Sequence, residues 1–393
     1  MKVLNVNMSL DPILGGGTAE RTFQLSRFLV RSGVNCSILT TNIGLTKTRL
    51  NDLKDVEVNI MKSISKRFYI HAISLRRIRR IVRDADIIHL INHWTIINAV
   101  VYLIARRLKK PYVICPAGAL SIFGRSITMK RIYNKIVGER IIRNASACIA
   151  ISQNEISNFI SLGIEQERIH LIPNGVAVED FPKTEGAYFK KRFGIMNNPF
   201  ILFMGRLNNI KGPDLLLEAF CNIGKKLDSR YHLVFAGPDG GMLSELKMKV
   251  QMSDLSDRIH FIGYIERELK SSAYFEADLL VIPSRQEAMS IVVLEAGITH
   301  TPVLITDQCG FNLVSEIGGG KVVPATIDGL TQGLLDILGK PKEMEKMGEN
   351  LHSLITAEFS WEKVSLKFIE LYNTILHGND FLKEQISKDI KGQ

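Results

Sequence analysis

No stretch of this 393-residue chain approaches the length of uncharged apolar sequence that a bilayer span requires. The start, MKVLNVNMSLD, alternates like a strand and lacks the long apolar core of a signal peptide, so a cytoplasmic protein is expected. Cysteine is sparse and scattered. Cys36, Cys115, Cys148, Cys221 and Cys309 are odd in number and have no metal-type spacing, which argues against a disulfide framework or a zinc site and for a reducing compartment. A G-x-G-x-x-G dinucleotide fingerprint is missing, and no recognised nucleic-acid-binding module surrounds the basic residues, so nucleic acid is disfavoured as a partner. A long β-only region is also missing, which removes the all-β folds.

What remains is a globular composition, 46% hydrophobic and 23% charged, in a chain long enough that two domains are the default. The formal net charge of +10 calls for an anionic partner: nucleic acid, a membrane surface or a phosphorylated substrate. Composition does not choose among these.

The most informative stretch is Asp278 to His300. Leu279 to Ile282 reads as a buried strand ended by Pro283, Ser284 to Ser290 as a polar loop, and Ile291 to Ile298 as a helix. The amides of Ser290, Ile291 and Val292 would then point from a helix N-terminus toward the carboxyl ends of the strands, a site for a phosphate or diphosphate. Glu287 and Glu295 flank it. Carboxylates repel phosphate and suit hydroxyl groups, so the compound expected is a diphosphate between two polyols, a nucleotide sugar. An ordinary strand-loop-helix unit with two solvated glutamates accounts for the same residues.

The chain repeats this alternation. Lys2 to Met8 leads into Gly15-Gly16-Gly17 and a helix from Thr18 to Arg31, and the glycines let a ligand approach the backbone, although a tight turn needs them equally. Further strands are expected at Val34 to Thr41, Val56 to Ile60, Ala85 to Leu90, Pro111 to Cys115, Ala147 to Ser152 and Ile169 to Ile172. His89 and His93 sit at or beyond the carboxyl end of one of them, beside Trp94, where clefts form. Lys66 to Arg83 interleaves seven basic residues with apolar ones, and a helix there would be amphipathic and suited to an anionic membrane surface; a solvated helix face explains it as well. Ala177 to Asn198 is polar and expected to be irregular, with a domain boundary in it, and Phe200 to Met204 begins a second set of strands. Arg206 and Lys211 follow its end and suit a diphosphate, Arg206 as a bidentate donor and Lys211 as a point charge.

GRLNNIKGPDLLLEAF, the seven-residue spacing of Glu287 and Glu295, and P-N-G-V at Pro173 to Val176 together resemble glycosyltransferase family 4, and the resemblance extends over nearly the whole chain. It implies an α/β protein of GT-B fold: two doubly wound Rossmann-like domains facing a cleft, residues 1–182 and 195–358, with a C-terminal helix at 359–378 that crosses back to the N-terminal domain. It implies that Glu287 contacts the donor-sugar hydroxyls, Glu295 the ribose hydroxyls, and the backbone around Tyr264 the nucleobase, while Gly16, Gly17 and Glu20 match the glycine loop and acidic helix residue that face the cleft. Asp86 and His89 match a D-I-V-H-x-H pattern in which Ile91 replaces the second histidine. Ala117 stands where relatives have a histidine or arginine, a role His93 or Arg125 would have to fill.

The activity implied is a retaining, cofactor-free and metal-independent hexosyl transfer from a UDP- or GDP-type sugar, with charge on the leaving group met by Arg206, Lys211 and the helix N-terminus and with a D-x-D carboxylate pair expected to be lacking. The acceptor expected is a glycan or a polyprenyl-diphosphate-linked oligosaccharide of a surface polysaccharide such as lipopolysaccharide, reached at the inner membrane face through Lys66 to Arg83. A sugar-nucleotide 2-epimerase and a non-catalytic scaffold of a polysaccharide assembly complex are the alternatives.

Overall fold

The computed structural model describes residues 1–65, 70–71, 74–120, 122, 126–183, 185–196, 198–224 and 231–378. In it the chain divides into two units, Met1–Asn174 with the segment from Trp361 onward, and Gly175–Ser360.

The first unit is built on β1 (Lys2–Val6), β2 (Asn35–Thr41), β3 (Glu57–Met61), a short antiparallel pair β4 (Ser63–Ser65) and β5 (Ile70–His71), then β6 (Ile87–Ile91), β7 (Tyr112–Cys115), β8 (Ala147–Ala150) and β9 (Ile169–Leu171). Seven of these form one parallel sheet in the order β3-β2-β1-β6-β7-β8-β9. Strands such as IIHLI and YVIC are buried along their whole length, as expected for a parallel sheet covered on both faces. The helix Gly16–Arg31 lies against β1 through buried polar pairs: Asn5 Nδ2 donates to Ser26 Oγ at 2.8 Å and Asn7 Nδ2 to Thr22 Oγ1 at 2.7 Å.

The second unit carries β10 (Phe200–Met204), β11 (His232–Ala236), β12 (Ile259–Gly263), β13 (Leu279–Ile282), β14 (Val303–Thr306) and β15 (Gly320–Val323), all parallel, in the order β12-β11-β10-β13-β14-β15. Each sheet thus reverses its strand order once, between β1 and β6 in the first and between β10 and β13 in the second. At such a reversal neighbouring loops diverge above the carboxyl ends of the strands and leave room for a ligand.

Several expectations are corrected. The first helix begins at Gly16, not Thr18, and Gly16 enters it at a left-handed φ of +55° that only glycine adopts without strain. The change of unit falls after Asn174, ahead of the expected 182. Residues 175–182 pack into the second unit, where the Val176 N–H donates to the Phe359 carbonyl at 2.9 Å and Phe181 meets Tyr274 edge-on at 5.9 Å. The region from 177 to 198, expected to be irregular, holds the short helix Tyr188–Phe193. Its Phe189 stacks on Phe200 at 5.4 Å and its first amides are taken by Glu276.

The basic helix is Leu75–Asp84, capped by Ser74, and is shorter than Lys66 to Arg83. Lys66, Arg67, Phe68 and Ile73 lie outside the described residues, as does Arg125. Its Ile78 and Val82 face the core, so this helix offers its arginines outward and few apolar side chains. The expected lack of a D-x-D pair is corrected as well: Asp84-Ala85-Asp86 spells D-x-D, but it stands at the amino end of β6, where Asp86 accepts the Lys2 N–H at 2.7 Å. That is the sheet end opposite the ligand-binding one.

The last helix, Trp361–His377, belongs to the first unit. Trp361 stacks on Phe28 at 6.4 Å, Arg21 lies over the Phe368 ring at 5.3 Å, and Tyr372 reaches His89. Among the described residues no helix is long and apolar enough to cross a membrane.

Candidate active site

The loops after β10 and β13 meet at the reversal point of the second sheet. Arg285 ties them together: its backbone N–H donates to the Ile210 carbonyl at 2.8 Å, and its guanidinium to the Asn209 carbonyl at 2.8 Å and both Asp214 oxygens at 2.9 and 2.6 Å. Burial pushes the Asp214 carboxyl up, but the Arg285 hydrogen bonds and charge outweigh it and hold the group below its usual value. Gly212 makes the approach feasible. It sits at φ +65° and a Cβ there would lie 2.1 Å from the Pro283 carbonyl oxygen.

Lys211 is thereby set against Glu287, Nζ to Oε1 at 2.7 Å, and Ser284 Oγ donates to the same oxygen at 2.5 Å. The Glu287 amide donates to the Gln308 carbonyl at 2.8 Å, so the residue is held at both ends. Eight residues on, Glu295 is held by Lys270 Nζ at 2.6 Å on one oxygen and the Tyr274 hydroxyl at 2.6 Å on the other. Both glutamate side chains are only 8% exposed. Two carboxylates of this depth need such partners, since each would otherwise be a buried charge left unpaired. Burial and then the Glu295 charge push the Tyr274 phenol well above its usual range, which keeps it a proton donor to Glu295.

Each strand of this sheet is followed by a helix that starts above this end, and three of them show how their N-termini differ. In Leu243–Gln251 the Asp239 carboxylate accepts the amides of Gly241, Met242 and Leu243 at 2.7, 3.1 and 3.2 Å. In Pro213–Ile223 the acidic Asp214 stands in the first turn. Ile291–Ile298 has no acidic residue in its first turn and no side-chain cap, and its N-cap Ser290 is fully buried with a hydroxyl that has no partner among the described residues. An external anion is best received where the protein supplies none of its own. Arg206 follows β10 and is half-buried, and Tyr264 stands past the end of β12, two strands from the reversal, 40% exposed.

In the first unit the corresponding reversal lies between β1 and β6. His93, beyond β6, is buried, and its pKa falls to about 4 because burial disfavours the imidazolium, only partly offset by the hydrogen bond to Asn134. Asn134 Oδ1 accepts from Trp94 Nε1 at 3.0 Å, so His93 Nε2, 3.1 Å from the same oxygen, carries the proton. His93 Nδ1 is left as a buried acceptor without a partner among the described residues. His89 does not reach a rim. It is fully buried, its Nδ1 is 2.8 Å from the Tyr372 hydroxyl, and burial together with the Arg21 charge pushes its pKa well below the usual value. Its proximity to the last helix, invisible in local sequence, removes it from the candidate acceptor contacts. Glu20 is engaged by Arg49 at 2.6 Å and Gln24 at 2.8 Å. Gly16 is half-buried and Gly17 exposed at the start of the same helix.

Ala117 takes φ +50° in a loop held by Glu155, a residue sequence reading missed. The Glu155 carboxylate accepts the amides of Gly118 at 2.5 Å and Ile151 at 2.9 Å, and burial raises its pKa against these hydrogen bonds. Arg21 was missed as well. Its guanidinium donates to the carbonyls of Ile172 and Pro173 and to Asn174 Oδ1 at 2.9, 3.0 and 2.7 Å. Lys270 and Tyr274 carry one local signal, their four-residue spacing on the helix Arg267–Glu276.

Residues 15–180 match the family model "Glycosyltransferase Family 4" and residues 187–353 the model "Glycosyl transferases group 1". The chain belongs to glycosyltransferase family 4 and has the GT-B fold. Among curated relatives, it is 27% identical over 252 residues to the D-inositol 3-phosphate glycosyltransferase of Nocardia farcinica, covering 61% of this chain and 55% of that one. It is 29% identical over 256 residues to the mannosylfructose-phosphate synthase of Agrobacterium fabrum, covering 62% and 55%. The chain thus spans about half the length of the curated relatives it matches. In fold it resembles HepE from Anabaena, solved in complex with UDP and glucose, with a TM-score of 0.79 at 17% identity over 95% of this chain and all of that one.

Proposed function

We propose that the protein is a retaining glycosyltransferase that moves a hexose from a nucleotide-diphosphate sugar, of UDP or GDP type, to a glycan or polyprenyl-diphosphate-linked oligosaccharide in surface polysaccharide synthesis, including that of lipopolysaccharide. The observation that carries this reading is the arrangement above β10 and β13: two lysine-neutralised carboxylates, Glu287 with Lys211 and Glu295 with Lys270, on either side of a helix N-terminus with no acidic residue in its first turn and no side-chain cap among the described residues. The diphosphate takes the amides at Ser290, Ile291 and Val292, the hydroxyls of the two sugars go to Glu287 and Glu295, and Arg206 and Lys211 compensate the charge that grows on the leaving diphosphate. Cations and a helix dipole supply what a metal ion would, so the reaction is metal-independent and needs no cofactor. The acceptor is received by the first unit, with His93 and Glu20 as candidate contacts, and the enzyme works in the cytoplasm, peripheral on the inner membrane face.

The test is thermal stability of wild type and Glu295→Ala against UDP-, GDP- and ADP-sugars. A ligand that binds only the folded state adds about 2.7 kcal/mol at a hundredfold excess over its dissociation constant. One nucleotide series should stabilise wild type, and the shift should shrink in the variant and survive EDTA. No shift with any donor in a folded sample would overturn the reading in favour of a scaffold, and conversion of the donor without acceptor would mark a 2-epimerase.

A further inference from the structure

The positive charge of this protein is concentrated on one layer. Residues 75–84, 96–110 and 127–143 hold fourteen of the fifty Lys and Arg but two of the forty Asp and Glu, a net charge of +12 against +10 for the whole chain. The helices in these stretches follow β3, β6 and β7. Successive right-handed crossovers in one direction place them on one face of the first sheet. Their inner sides agree: Ile78, Val82, Ile97, Val101, Ile141 and Ile142 share one core cluster. Side chains link them as well, Tyr133 Oη donating to the Thr95 carbonyl at 3.1 Å and Asn144 Nδ2 to Tyr102 Oη at 3.0 Å.

The outer side of the same layer is apolar where it should be solvated. Leu75, Ile96, Leu103, Ile127, Met129, Ile132 and Ile136 are seven of the twenty exposed large hydrophobic residues described, although these stretches are a small part of the chain. Met129, Ile132 and Ile136 are 66%, 48% and 64% exposed and recur at helical spacing in one continuous helical segment. Arg131, Lys135 and Arg140 are exposed around them. Lys130 lies over the Trp94 ring at 4.3 Å.

We infer that this layer docks on an anionic lipid bilayer. Met129, Ile132 and Ile136 enter the boundary between headgroups and acyl chains, and the surrounding lysines and arginines meet the lipid phosphates while their stems cover the apolar rim. Charge complementarity selects this occupant. A second copy of the chain would bring two strongly cationic faces together, which is repulsive. The inference rests on the membrane-acceptor part of the proposed function. It moves the apolar contact from Lys66 to Arg83, whose described helix buries its apolar side, to the 127–143 segment.

The test is co-sedimentation of the full chain with phosphatidylcholine vesicles, with and without phosphatidylglycerol, and without donor or acceptor. Wild type should bind the anionic vesicles, less so at high salt. Met129→Ser/Ile132→Ser/Ile136→Ser should weaken partitioning at least about tenfold and Arg131→Glu/Lys135→Glu comparably, with unchanged melting temperature because all five side chains are exposed. Equal binding of wild type to neutral and anionic vesicles, or wild-type binding by the serine variant, overturns the inference. So does concentration-dependent dimerisation that the serine substitutions abolish, which would make the face a self-association surface. Donor-induced stabilisation is read in the second unit, so a failure of lipid binding with that shift intact leaves the transferase reading standing.

Discussion

His93 is neutral because it is buried, and that has a measurable consequence. Its folded pKa of about 4 lies below the ordinary 6.5, so above pH 6.5 the residue is uncharged in both states and adds no pH dependence. Between 6.5 and 4 the unfolded chain binds a proton that the folded one refuses. Stability therefore falls as pH falls through that window, by on the order of 3 kcal/mol for a shift of this size. His89 is displaced in the same direction. Urea unfolding between pH 7 and 4 should show this slope, and His93→Gln should flatten it; an unchanged slope would mean that the imidazole is not the group titrating. The same residue has at Nδ1 a buried acceptor without a partner among the described residues, a group that buried polar atoms seldom leave unsatisfied.

The loops of the candidate site depend on backbone contacts that no single side chain reveals. Gly212 admits the Pro283 carbonyl, and Arg285 then reaches both Asn209 and Asp214. Gly212→Ala adds a methyl group 2.1 Å from that oxygen at a left-handed φ, and a destabilisation of roughly 2–4 kcal/mol is expected, together with loss of donor-induced stabilisation. Thermal melts with and without nucleotide sugar measure both. Melting at the wild-type temperature would show that the loop relaxes at little cost, contrary to the close approach. At this scale the sequence was a good guide to strands and a poorer one to what surrounds them. Apolar runs such as FILFM and LLVI mark strands because a parallel strand buried on both faces has no polar side to show. The helix at 188–193 escaped notice because it is short and held by Glu276, far along the chain.

For the molecule as a whole, the last helix is the element whose place is least obvious from its position in the chain. It follows the second unit and completes the first, covering Phe28, Arg21 and His89. Trp361 is 2% exposed, and Trp361→Ala removes a large aromatic group from that contact, expected to cost about 3–5 kcal/mol. Hydrogen exchange should then rise in residues 1–174 and 361–377 while protection within 175–360 stays near wild type; loss confined to the second unit would contradict the assignment of this helix. Local chemistry in the sequence determined the α/β alternation, the positions of Glu287, Glu295, Arg206 and Lys211 after strands, and the excess of positive charge, since each follows from burial, spacing or composition along a few residues. Tertiary structure alone decided that Lys211 and Lys270 neutralise the two glutamates, that His89 lies under the last helix, and that the basic residues gather on one layer. Those pairings join residues far apart in the chain, and only the order of strands in each sheet brings them within the few ångströms at which hydrogen bonds and charges act.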